Sequence, residues 1–143
     1  MLKKFDKKYL FYISWIQAIV AMAGSLYFSE IRKFPPCILC WYQRICMYPL
    51  VALIAIGIYK KDKNLPYYVL PLSLIGTAIA VFHNLLYFNI IPESAAPCIA
   101  GVSCTTKFIE YFGFITIPFL SLCGFLIIDI CMILYLKWGK LKV

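Results

Sequence analysis

Four apolar runs of about twenty residues each leave this chain one solvent to fold in. An α-helix rises about 1.5 Å per residue and the hydrocarbon core of a bilayer is about 30 Å thick, so each run is long enough to cross it. Inside that core the backbone has no water to bond, and a helix satisfies its own N–H and C=O groups. The runs predict spans at about 9–28, 41–59, 67–91 and 114–136, with loops on one side at about 29–40 and 92–113. They take up nearly the whole length, so the expected fold is an all-α integral membrane protein, a four-transmembrane-helix bundle forming one membrane domain over 1–143. With 64% hydrophobic and 14% charged residues, the composition does not describe a water-soluble domain.

Basic residues in short loops stay on the cytoplasmic side. Lys3, Lys4, Lys7 and Lys8 precede the first run, Lys60, Lys61 and Lys63 separate the second from the third, and Lys137, Lys140 and Lys142 follow the fourth. The other two loops hold only Arg32, Lys33 and Lys107, with Arg44 at the head of the second run. Both termini are therefore expected in the cytoplasm. The net charge of +8 is explained by this distribution, and nucleic acid is not an expected partner. Ala21-Met22-Ala23 has the small-residue pattern of a signal-peptide cleavage site. Cleavage there would leave three spans and put the C-terminal lysines on the wrong face, so the first run is read as a retained span.

The two halves repeat one plan: helix, external loop with a cysteine pair, helix. The pairs are Cys37 and Cys40 after Pro35-Pro36, and Cys98 and Cys104 after Pro97. Cys46, Cys123 and Cys131 fall inside spans, where a thiol is a small hydrophobe. The derived topology puts the four loop cysteines on the oxidising side, where disulfides persist. Two inert staples are one reading of them, and a zinc site is another. The five residues inside the second pair and the oxidising side weigh against zinc, so no metal is expected. A C-x-x-C pair closes too small a loop to be much of a staple, and its usual value is redox chemistry. With the second span starting near Cys37, helix-end N–H groups would favour a thiolate there. Positions 37, 40 and 44 recur at helical spacing, which puts both sulfurs and the Arg44 guanidinium on one face. Snorkelling to the headgroups is the alternative for Arg44.

His83 lies in V-F-H-N-L-L-Y at a depth similar to that of Arg44. It is read either as a helix-to-helix hydrogen bond or as a polar contact to a redox acceptor. Asn84 is expected to bond between helices. Asp129 lies toward the opposite end and is expected to be protonated or partnered, outside the mechanism. Trp41 and most other aromatics sit near span ends, as an interfacial belt requires, and stacking on a redox acceptor is the alternative for Trp41.

Four spans, C-I-L-C-W-Y-Q-R at the head of the second, a cysteine pair in the second external loop and F-G-F-I-T-I-P-F entering the fourth resemble the DsbB/BdbC family of membrane disulfide-bond formation proteins, closest to the Gram-positive BdbC type. The resemblance covers essentially the whole chain. It implies a thiol:quinone oxidoreductase of the bacterial cell membrane that reoxidises an extracytoplasmic thioredoxin-fold thiol oxidase (DsbA/BdbD-like). Electrons would pass to a membrane quinone, menaquinone or ubiquinone. By position it makes Cys37, Cys40, Cys98 and Cys104 catalytic and Arg44 a quinone-binding residue, with His83 a candidate for the same site. Cys98 would form the mixed disulfide with the partner and Cys104 would exchange with Cys37. The compact Cys98–Cys104 loop departs from proteobacterial members, which space that pair far more widely. Two rival readings use the same parts: a vitamin-K-epoxide-reductase-like quinone reductase, whose cysteine pairs usually come in the reverse order, and a non-catalytic membrane adaptor with structural disulfides.

Overall fold

The computed structural model describes residues 6–95, 103, 105 and 115–140. Four long helices dominate it: α1 (Lys8–Leu26), α2 (Ile38–Lys60), α3 (Leu65–Tyr87) and α4 (Ile117–Lys140). Each is long and apolar enough to cross a membrane, and the protein is an all-α, multi-pass membrane protein. α1 packs on α2, α2 on α3 and α3 on α4, and α4 closes the ring against α1. Cys98, Cys104 and Lys107 lie outside the described residues.

The ring is an inside-out version of a soluble bundle. Ile16, Val20, Ile45 and Ile130 face outward, each more than 50% exposed, where a soluble bundle would carry charge. Inside, Leu50, Ile54, Val69, Phe125, Ile128 and Met132 are fully or almost fully buried in one continuous core. Lipid is as apolar as that core, so helix association rests on close fit more than on water exclusion. Gly76 shows the fit: a Cβ there would collide with the buried Phe125 ring. Ser73, one turn earlier, reaches the Phe125 carbonyl at 3.5 Å.

The termini of these helices are set by local chemistry. α2 ends in a left-handed Lys61 (φ 53°), with Lys61 N–H on the Ile58 carbonyl and Asp62 N–H on that of Gly57. This double closure caps the last carbonyls of a helix. Asp62 then accepts from Asn64 N–H and from the Tyr68 hydroxyl, which fixes the turn into α3. α3 stops at Tyr87, short of the end of the apolar run at Ile91, where Asn89 takes a left-handed conformation (φ 57°). α1 does not stop cleanly but widens into a π-helical turn, Tyr27–Ile31. Such turns recur at functional sites.

Asn84 and Asp129 both have partners on a neighbouring helix. Asn84 donates to the carbonyls of Ala80 and Pro118, which ties α3 to α4. Asp129 is buried and bonded to the Thr77 hydroxyl at 2.6 Å.

Candidate active site

At the end of the bundle opposite Lys60, the Pro35-Pro36 segment runs into Cys37, which is the N-cap of α2 with extended backbone (φ −73°, ψ 170°). The first N–H groups of a helix have no partner within it, and an N-cap side chain accepts from them. Here a sulfur does so: Cys40 N–H points at Cys37 Sγ at 3.4 Å. One turn on, the Cys40 thiol lies 3.0 Å from the same sulfur. The pair is a dithiol in this structure, and closing it to the roughly 2.0 Å of a disulfide takes about one ångström of movement.

Cys37 is buried at 6% exposure, and burial alone would push its thiol up. The Cys40 thiol bonded to it outweighs that burial, and with smaller help from His83 and the Cys40 N–H it holds Cys37 far below the ordinary thiol range, at about 4.

His83 comes to this pair from α3, its Nε2 3.8 Å from Cys37 Sγ. Ligand atoms of Cys37, Cys40 and His83 all lie within 4.8 Å of one another. On the other side of the ring, Gln43 Nε2 approaches His83 Nδ1 at 3.2 Å, and Ser121 donates from α4 to Gln43 Oε1 at 2.8 Å. The helix-to-helix hydrogen bond read for His83 is therefore present, and the same ring also reaches the cysteines.

Arg44 is tied to α1. Its Nε donates to Ser25 Oγ at 2.7 Å and its terminal nitrogen to the Ser25 carbonyl at 3.0 Å, just before the π-helical turn of α1. Its guanidinium also lies over the Trp41 ring, 5.4 Å from the centroid. Trp41 thus has a cation–π partner in Arg44.

These groups border one cavity of about 310 Å³, walled largely by apolar side chains such as Phe28, Met47 and Phe125. Cys37, Cys40, Gln43, Arg44 and His83 all reach its surface. So does Tyr48, whose buried hydroxyl has no hydrogen-bond partner among the described residues. The sequence places Arg44 and the cysteines on one face. It does not reveal Ser25, Tyr48 or Ser121, because a lone serine or tyrosine in a span carries no periodic signal. Gln43 stands in the quoted string, and an amide there, one turn from the cysteines, was its available signal.

A dithiol seated on a helix end beside an apolar chamber, within a bundle of four helices long and apolar enough to span a membrane, points to a membrane-embedded thiol oxidoreductase. The family model for disulfide bond formation protein DsbB matches residues 7–135. Among curated proteins, disulfide bond formation protein C of Bacillus subtilis is 51% identical over 86% of this chain and 89% of its own length. A probable disulfide formation protein C of Halalkalibacterium halodurans is 49% identical over 87% and 90%. A probable disulfide formation protein of Oceanobacillus iheyensis is 41% identical over 95% and 96%. No solved structure gives a significant match. The chain belongs to the DsbB family of disulfide bond formation proteins, and its role is that of an oxidoreductase in disulfide formation.

Proposed function

We propose that this protein reoxidises an extracytoplasmic thioredoxin-fold thiol oxidase by passing two electrons through Cys98/Cys104 and then Cys37/Cys40 to a membrane quinone, menaquinone or ubiquinone. The observation that carries the reading is the Cys37–Cys40 dithiol opening onto the same apolar cavity as Arg44.

In the exchange steps, the partner's dithiol becomes a disulfide as the Cys98–Cys104 bond breaks. That bond re-forms as the Cys37–Cys40 bond breaks. Reduction of Cys37–Cys40 takes two electrons into the pair, and the two protons of the Cys98 and Cys104 thiols pass to its sulfurs or to water. Re-forming the bond releases both electrons toward the cavity, and the two protons that accompany them come from the pair and from water. When bound, a quinone supplies an acceptor for two electrons and two protons. The cavity fits such a guest: apolar walls for a ring, the Tyr48 hydroxyl that has no partner among the described residues, and Arg44 N–H groups beyond the two held by Ser25. The lysine distribution supports cytoplasmic termini and redox cysteines on the outer side of the bacterial cell membrane.

The test is loss of quinone absorbance with a reduced thioredoxin-fold substrate. Serine at any one of Cys37, Cys40, Cys98 or Cys104 should abolish turnover, and serine at Cys46, Cys123 or Cys131 should leave it largely intact. Full activity of Cys98→Ser would end the two-pair relay.

A further inference from the structure

We propose that Gln17, at the midpoint of α1, is a second quinone-binding residue: its amide holds the far oxygen of a ring whose near oxygen lies at Arg44, and Gly124 on α4 leaves the room for it. The proposal rests on the quinone reading above and adds the end of the site that the cysteine and arginine motif does not reach.

An amide in the middle of a span is costly to leave without hydrogen bonds, because hydrocarbon offers none. Gln17 is the central residue of α1 (Lys8–Leu26), and it has no hydrogen bond among the described residues. Neighbours of the same kind are engaged: Gln43 with Ser121, Thr77 with Asp129, and Asn84 with the Ala80 and Pro118 carbonyls. Gln17 is not turned out to lipid either. A Cβ at the buried Gly124 would lie 3.3 Å from Gln17 Nε2 and 3.9 Å from both Ala21 Cβ and Met47 Cε, so the amide points between α1, α2 and α4. It borders the cavity that Cys40 and Arg44 also border. A polar side chain kept inside a span, facing a chamber and bonded to nothing around it, points to a ligand.

Helix register gives its depth. Arg44 is tied to Ser25. Ala21, beside the Gln17 amide, lies one turn before Ser25 on α1, and Met47 lies one turn beyond Arg44 on α2. Both offsets put the amide about 5 Å deeper in the bundle than Arg44. That is close to the separation of the two carbonyl oxygens across a quinone ring. A ring with one oxygen at Arg44 therefore presents the other at Gln17. The two residues also suit different chemistry, since a guanidinium only donates, whereas an amide donates through Nε2 and accepts through Oε1. Gln17 can donate to a carbonyl oxygen and, after a turn of its amide, accept from the hydroxyl which that oxygen becomes once the ring has taken up two electrons and two protons. The buried Tyr48 hydroxyl, without a partner among the described residues, borders the cavity one turn beyond Arg44 and is the competing holder of that oxygen.

The test uses purified full-length protein with both cysteine pairs oxidised, so that added quinone stays oxidised. A short-chain menaquinone, isotope-labelled at one carbonyl carbon or the other, is titrated in, and its two carbonyl stretches are read by difference infrared spectroscopy. In the wild type both bands should lie below their free positions. Gln17→Leu should return one band to the free position, and Arg44→Ala the other. Gln17→Leu should also raise the quinone dissociation constant on the order of fivefold. Tyr48→Phe should leave both bands in place. The thermal midpoint of the quinone-free Gln17→Leu protein should not fall, since leucine leaves no polar group unbonded in hydrocarbon. Gln17→Met, with the same expected outcomes, keeps the test usable if the leucine variant fails to fold. Bands unmoved by either Gln17 substitution, one band moved by both Gln17→Leu and Arg44→Ala, or the far band moved by Tyr48→Phe in place of Gln17→Leu would overturn the proposal. So would a lower midpoint with unchanged quinone affinity, which would make Gln17 a packing residue. A wild type that binds no quinone in the titration would end the quinone reading itself, an outcome distinct from each of these.

Discussion

At the residue scale, the site is a contest between burial and hydrogen bonding at sulfur. Burial opposes a charge on Cys37, and the donors gathered at the head of α2 win. Arg44 supplies the second charge, and its two bonds to Ser25 make it a fixed cation at the cavity wall. If a quinone oxygen accepts from it, Arg44→Ala removes a charge-assisted hydrogen bond of about 1.5–3 kcal/mol, or roughly a ten- to hundredfold rise in quinone KM. Lysine should rescue only in part, because it keeps the charge and loses the planar fork. The partner's KM should stay level, and steady-state kinetics with each substrate varied in turn separates the two effects. A change confined to the partner's KM would put Arg44 on a docking surface. Cysteine spacing and the Arg44 register were legible in the sequence because they are short-range and periodic. The Ser25 and Ser121 contacts join α1 and α4 to α2, and nothing local in the sequence encodes those pairings.

At the scale of elements, close approach rather than hydrophobicity holds the helices to each other. Gly76 is the clearest place to test it, since a Cβ there would meet the fully buried Phe125 ring. Gly76→Ala should destabilise the bundle by about 1–3 kcal/mol, seen as a lower thermal midpoint in detergent. Gly24 is the control: a Cβ there meets nothing within 4 Å, so Gly24→Ala should leave the midpoint in place. An equal fall at both positions would mean that contact with Phe125 does not decide the outcome. The helices were readable from apolar run length, because a bilayer sets that length. Their ends were less readable. The π-helical turn after α1 has no compositional mark, and the end of α3 depends on a left-handed Asn89 inside a run that still looks apolar.

At the scale of the molecule, the asymmetry of charge and the position of the site have to agree. The described lysines other than Lys33 cluster at the end of the bundle where α1 and α3 begin, and the dithiol sits at the other end. A membrane-impermeant thiol reagent applied to intact cells after reduction should label Cys98 and Cys104, while Lys60, Lys61 and Lys63 resist an impermeant amine reagent. The reverse pattern would invert the sides and remove the compartment in which the disulfides persist. The central claim is that partner thiols and quinone are the two ends of one electron path. Its most direct measurement follows both at once in purified protein: quinone absorbance and the partner's disulfide, counted mole for mole without oxygen. The account predicts one quinone reduced for each partner disulfide formed, with none of either in Cys40→Ser. Partner oxidation that continues in Cys40→Ser, or that proceeds with no loss of quinone, would contradict it.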